Sequence, residues 1–232
     1  MPRTTPSDRL PKLLDAAAAT FVEHGFQRAQ MDDVADRLGV SKGTIYRAVD
    51  SKEALFAAVV AWADEPDRIP TIGLTPAGDI ATIASTVVAE LGTAITALEL
   101  AAVVAGRRRM RSASAVGEEV ERLAAGLYRT MRSRRTAIMV LDRCAAEIPE
   151  LSPIWFGDGR YAVVDLWADY LELRAVYIAS DVDRAILART VVEVTTTWAV
   201  KMPWDRAPRP YPDDTAVACA TMIRHLVTGG PR

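Results

Sequence analysis

The apolar positions of this chain recur at helical steps from one end to the other. Leu10, Leu14, Ala17, Ala18 and Phe21 predict a first helix that starts between Asp8 and Pro11 and ends at His24, before Gly25. Met31, Val34, Ala35 and Leu38, at i, i+3, i+4 and i+7, predict a second of about two turns. Gly39 is suited to the left-handed conformation that closes a helix, and Val40 is expected to tuck in behind the corner. Ser41 should cap a third helix running to Val49, in which only Ile45 and Val49 point clearly inward. Asp50 or Ser51, with Glu53 reaching back in a capping box, should open a fourth, whose inner face is Leu55, Phe56, Val59, Val60 and Ala63. Helices as short as the second and third need the stripe of the first to pack against.

Three prolines and two glycines between Pro66 and Gly78 mark a domain boundary, dividing the chain into 1–65 and 66–232. Beyond it, helices are expected near Asp79–Leu91, Thr93–Arg111, Ala115–Arg132, Arg134–Ile148, Gly159–Ala179, Val182–Met202 and Asp213–Thr228, with Gly92 among the breaks. No segment alternates long enough to make a sheet, so the fold class is all-α.

The third helix has an outer side that is small, hydroxylated or basic: Ser41, Lys42, Gly43, Thr44, Tyr46 and Arg47. Two short helices joined by a glycine turn, with such a side outermost, form the helix-turn-helix that seats one helix in a DNA major groove. Lys42, Arg47 and Lys52 make a row of candidate phosphate ligands, and Arg28 and Gln30, just before the second helix, extend it. A pair of core helices with an ordinary solvated face would show the same pattern. The order and spacing of GVSKGTIYRAVDSKEALF behind LLDAAAATFVEHGF and QMDDVADRLG favour DNA, because over about residues 10–62 they resemble the TetR family of dimeric, ligand-responsive transcriptional repressors. The resemblance implies an N-terminal three-helix DNA-binding domain and a C-terminal helical ligand-binding and dimerisation domain. Where the family usually has an aromatic or His followed by Phe, this chain has Ala48 and Val49, which implies a lost phosphate contact and a smaller core plug. Gln30 stands where the family usually has a capping Ser or Thr.

Charge adds little to the DNA reading: the net charge is −2, and Met1–Lys52 carries eight basic against seven acidic side chains. A site-specific dimer needs only a local row of ligands rather than a basic coat. Arg3 is the only cation of the N-terminal tail, MPRTTPSD, which has no apolar core of a signal sequence. The greasy stretch from Ile80 to Ala105 is interrupted by Glu90 and Glu99, which argues against a membrane span. Cys144 and Cys219, far apart in helical patterns, read as reduced core thiols of a cytoplasmic protein. His24 and His225 have no metal-ligand spacing, and neither a metal nor a cofactor is expected.

The helices between Ile80 and Val104 are apolar nearly all round and are expected to be buried. Thr86, Glu99, Tyr128, Trp155, Phe156, Trp167 and Tyr170 combine hydroxyls, an acid and aromatic walls as a small-molecule pocket does, although each alone reads as core. The resemblance implies an effector site in this region. Arg107, Arg108, Arg109 and Arg111, with Arg129, Arg132, Arg134 and Arg135, read as solvated helix faces before anion sites. Val182, Ile186, Leu187, Thr190, Val194 and Trp198, then Val217, Ala220, Met222, Ile223, Leu226 and Val227, form two stripes suited to a homodimer built as a four-helix bundle. Two recognition helices about 34 Å apart would read a palindromic operator. The rival reading is a helical ligand-binding protein or enzyme with an incidental helix-turn-helix. Against catalysis stands the absence of any Ser/His/Asp set, paired carboxylates or phosphate loop.

Overall fold

The computed structural model describes residues 6–68, 80–107, 109–110, 112–178, 182–205 and 214–229. Every regular element among them is helical, with no strand. The chain divides into two compact units, 1–89 with 136–157, and 90–135 with 158–232. The first therefore takes in more than residues 1–65, because a later helix folds onto it. Residues 1–5 of the tail, with Arg3, and residues 69–79 of the expected boundary lie outside the described residues, and the first helix starts at Pro6, ahead of the expected Asp8–Pro11.

In the first unit, α1 (Pro6–Arg28), α2 (Met31–Leu38), α3 (Lys42–Tyr46) and α4 (Lys52–Trp62) follow the expected order. Regular helix in α1 is interrupted at Gly25, whose φ of 79° and ψ of 174° suit a residue with no Cβ. Phe26 folds back so that its ring lies 5.3 Å from that of Phe56, which meets Phe21 at 5.4 Å. Leu14, Ala17, Leu55 and Val59 complete this core. Of the two expected caps Ser51 is the one that serves α4: its hydroxyl accepts the Ala54 N–H at 3.1 Å. At the far end of α4 the Asp64 carboxylate accepts the N–H groups of Thr136 and Ala137, at 2.8 and 2.9 Å, and so caps α8 (Arg135–Cys144). Glu147, just past α8, accepts the Gln27 N–H at 2.8 Å and pairs with Arg143. Partial burial opposes the Glu147 charge, but the Gln27 N–H and the Arg143 guanidinium outweigh it and hold the carboxyl below the usual glutamate value.

The second unit is organised by α7 (Ala113–Ser133), which packs along α11 (Thr215–Thr228). Val116, Val120, Leu123 and Leu127 of α7 and Ala220, Ile223 and Val227 of α11 are buried there. α9 (Arg160–Leu173) packs on α10 (Arg184–Thr196), which continues through a wider turn, Thr197–Lys201. Buried in this unit is a charged cluster: the Tyr170 hydroxyl donates to Glu119 at 2.9 Å, and the Arg174 Nε donates to the same carboxylate at 2.8 Å.

Several expectations fail. Helix α5 (Ile80–Thr96) runs straight through Gly92, since one interior glycine costs a helix only about 1 kcal/mol. The break falls at Leu98, before α6 (Glu99–Gly106), which ends at Arg107 with a left-handed φ of 44° instead of running to Arg111. Nor is α5 buried all round. Ile83, Ala84 and Val87 face inward, while Val88 is 48 % exposed. Among the described residues no single helix is long and apolar enough to cross a membrane.

Candidate nucleic-acid interface

The corner between α2 and α3 is built as its sequence implies. Gly39 adopts φ 65° and ψ 36°, and the Val40 N–H returns to the Ala35 carbonyl at 3.0 Å, closing α2. Val40 itself does not tuck in; it is 38 % exposed. Met31, Val34 and Ala35 face the core, as do Ile45 and Val49, which are 2 % and 1 % exposed. Helix α3 is shorter than expected, ending at Tyr46, though the Ala48 and Val49 N–H groups still reach the Ile45 carbonyl. With two inward residues as anchors, the remaining side of α3 faces solvent. Ser41, Lys42, Gly43, Thr44, Tyr46 and Arg47 are all exposed.

Their local bonds decide what each can offer a duplex. Ser41 makes no cap bond; its hydroxyl lies 3.0 Å from that of Thr44, leaving a hydroxyl pair on the open face. Tyr46 is 43 % exposed. Lys42 is engaged, its ammonium donating to Asp32 at 2.8 Å, and this carboxylate raises the lysine's affinity for its proton. Gln30 and Arg28 are exposed just ahead of α2. The Gln30 N–H donates to Asp33 at 2.8 Å, half of a capping box, and the Arg28 Nε donates to the His24 carbonyl at 3.2 Å. Lys52, expected to grip phosphate, is engaged within the chain. Its ammonium donates to the carbonyls of Phe26, Gln27 and Ala29 at 2.9, 3.3 and 3.4 Å, and it lies 4.7 Å from the centre of the Phe26 ring. These contacts tie Lys52 to the α1–α2 connection.

The residues proposed for a small-molecule site do not gather in the same way. Trp155 and Phe156 belong to the first unit, and Tyr128, Trp167 and Tyr170 to the second. Only Trp167 and Tyr170 meet as rings, at 5.5 Å, and both are fully buried. The Tyr170 hydroxyl is committed to Glu119, the exposed Glu99 pairs with Arg122, and the exposed Thr86 hydroxyl donates to the Thr82 carbonyl at 3.0 Å. The Trp155 indole donates to Asp142 at 3.4 Å, whereas the buried Trp167 indole N–H has no partner. An open cleft of about 300 Å³ between α7 and α11 is lined by Glu118, Glu121, Arg122, Ala125, Val217 and Ala220. None of these except Val217 and Ala220, nominated for the dimer face, carried a sequence signal. Among the arginine clusters, Arg107, Arg109, Arg129 and Arg132 are exposed, and Arg108 and Arg111 lie outside the described residues. Among the described residues no three His, Cys, Asp or Glu side chains converge as a metal site.

Residues 13–59 match the profile of a family described as bacterial regulatory proteins, tetR family. The chain is 45 % identical over 53 residues to the HTH-type transcriptional activator FasR of Mycolicibacterium smegmatis, covering 23 % of this chain and 24 % of that one. It is 41 % identical over 54 residues to the HTH-type transcriptional repressor KstR2 of Rhodococcus jostii, covering 23 % and 26 %. The chain thus spans about a quarter of the length of these curated relatives. Among solved structures it resembles the ketosteroid transcriptional regulator KstR2 of Mycobacterium tuberculosis, with a TM-score of 0.56 at 17 % identity over 98 % of this chain and 97 % of that one. The Streptomyces coelicolor regulator SCO3833 gives 0.55 at 19 % identity, covering 95 % and 90 %. At these identities the structural likeness speaks for the fold.

Proposed function

We propose that this chain, whose residues 13–59 match the profile of bacterial regulatory proteins of the tetR family, is a transcriptional repressor that reads a palindromic operator as a homodimer. The observation that carries the reading is the open side of α3, with Ser41, Thr44, Tyr46 and Arg47 turned to solvent while Ile45 and Val49 hold the helix from below. Tyr46, Thr44 and Arg47 meet base edges or phosphates, and Lys42 and Arg47 supply the cations. Arg47 set bidentate on a guanine contributes about 1–3 kcal/mol of discrimination per half-site. Repression is the sign adopted because KstR2 and KstR of Rhodococcus jostii, similar over this domain, are named repressors; FasR, named an activator, sets the opposite outcome of a promoter assay.

Dimerisation is supported by apolar residues left uncovered on α10 and α11: Ile186 is 60 % exposed, Val217 59 %, Met222 44 % and Leu226 39 %. Of the expected stripes, Leu187 on α10 and Ala220, Ile223 and Val227 on α11 are buried within the chain. A small-molecule effector bound in the C-terminal domain would release the operator if its affinity differs by a few kcal/mol between two dimer geometries.

The test is selection of binding sites from random duplexes with the purified protein, followed by fluorescence anisotropy on the selected duplex and light scattering for mass. A twofold-symmetric site, a dimer, and loss of specific binding in Tyr46→Ala and Arg47→Ala with the dimer kept are expected. Unchanged binding in both variants, or enrichment of no sequence, overturns the reading.

A further inference from the structure

We infer that Asp32 competes with DNA phosphate for the Lys42 ammonium, and so sets how tightly and how salt-sensitively the α3 face holds any duplex. This rests on the reading of that face as DNA-binding. The pair joins the first turn of α2 to the first residue of α3 at 2.8 Å, with the Lys42 side chain 48 % and the Asp32 side chain 60 % exposed. In water such a pair is weak and exchangeable. A phosphate arriving at Lys42 must therefore share or displace the carboxylate, and it enters the repulsive field of Asp32 within a few ångströms, inside the Debye length at ordinary salt. Lys52 is engaged with three main-chain carbonyls instead of a carboxylate. Arg37, like Lys42, is paired with a carboxylate, that of Glu23. Of the cations along α2 and α3, Lys42 and Arg37 thus carry a counter-charge of the chain's own. Asp32 in this sense tunes affinity and not sequence preference: the backbone-charge contribution is common to selected and random duplexes, and the carboxylate subtracts from it on both.

The experiment compares wild type, Asp32→Asn, Lys42→Gln and the double variant in the full-length protein, by anisotropy on the selected duplex and on a random one across a salt series. The asparagine keeps an oxygen for Lys42 and removes the charge. Asp32→Asn is expected to bind both duplexes about three- to tenfold more tightly near 0.1 M salt, with the log–log salt dependence steeper by about one unit for each additional phosphate engaged. Lys42→Gln should bind more weakly, and in the double variant the gain should vanish. Thermal unfolding, unchanged in all three variants, confirms that the fold is kept. An Asp32→Asn protein with wild-type affinity and slope overturns the inference. So does a Lys42→Gln protein that binds as wild type, or a gain that persists without the Lys42 amine. Wild type bound to the selected duplex beside an inert Asp32→Asn sinks this inference alone; wild type that binds no duplex sinks the functional reading with it.

Discussion

The same chemistry, an acid hydrogen-bonded to a cation, does opposite work in the two units. Glu119 and Arg174 in the second unit have side chains 8 % and 2 % exposed, and Tyr170 donates to the same carboxylate. Lys42 and Asp32 in the first unit meet at the same 2.8 Å with about half of each side chain in water. Burial separates them. A buried partner cannot leave without stranding a charge in a poorly solvating interior, whereas an exposed one is exchanged for water or for another anion at little cost. The first pair fixes how α7 and α9 sit in one core. The second leaves α3 free to change partners, as the phosphate contact proposed for Lys42 requires.

The strongest way to break this contrast is to remove one partner from each pair. Glu119→Ala removes the carboxylate that the buried Arg174 guanidinium and Tyr170 hydroxyl both donate to and is expected to cost about 3–5 kcal/mol in urea unfolding followed by circular dichroism. Asp32→Ala should shift the same transition by no measurable amount; equal losses would refute the distinction. Next in size is Gly25→Ala. Its φ of 79° disfavours a Cβ, and that Cβ would lie 2.2 Å from a Glu147 carboxylate oxygen and 2.8 Å from the Arg143 guanidinium. Because those side-chain ends can swing away, backbone strain and loss of the Gln27 bond remain, together about 1–3 kcal/mol. A transition equal to wild type would show that the α1–α2 connection is not held as described.

A smaller effect separates the units by pH. Glu147 has a carboxyl held below its ordinary value in the folded chain. Its contribution is therefore present above the unfolded glutamate value and is lost as pH falls through the lower folded one. Stability measured from neutral pH down to about pH 3 should fall less steeply in Glu147→Gln than in wild type. Parallel curves would remove Glu147 as an acid-sensitive brace. The last prediction concerns reactivity. Cys144 is fully buried, and burial, with Glu147 nearby, pushes its thiol up to about 12; burial also raises Cys219. Neither thiol should react with a disulfide reagent at pH 8 until the chain is unfolded in denaturant.

The helix-turn-helix was legible because its determinants are local. Gly39 in the left-handed region, the α2 stripe, and Ile45 and Val49 four residues apart all lie between Met31 and Val49. What escaped the pattern depends on distance along the chain. Lys52 looks like a free cation until the fold brings the Phe26 carbonyl, 26 residues back, to 2.9 Å. The Glu119–Arg174 pair joins residues 55 apart, in segments that carry no mark of each other. The apolar composition of α5 suggested burial, but small side chains are tolerated at a surface as well as in a core. For the ligand residues the cue was composition alone. It collected aromatics that the fold distributes between the units, and it passed over Glu119 and Arg174, which hold the centre of the second.

That α3 enters the major groove, once per subunit, is tested most directly from α3 itself. With both native thiols buried, a Thr44→Cys variant takes an iron chelate at one place per chain, and the cuts it makes in the selected duplex map where residue 44 lies. Two clusters of cuts about 34 Å apart along the duplex, related by its symmetry, are predicted. No cutting from residue 44, with cutting from a chelate at Arg129→Cys on α7 instead, would contradict the account.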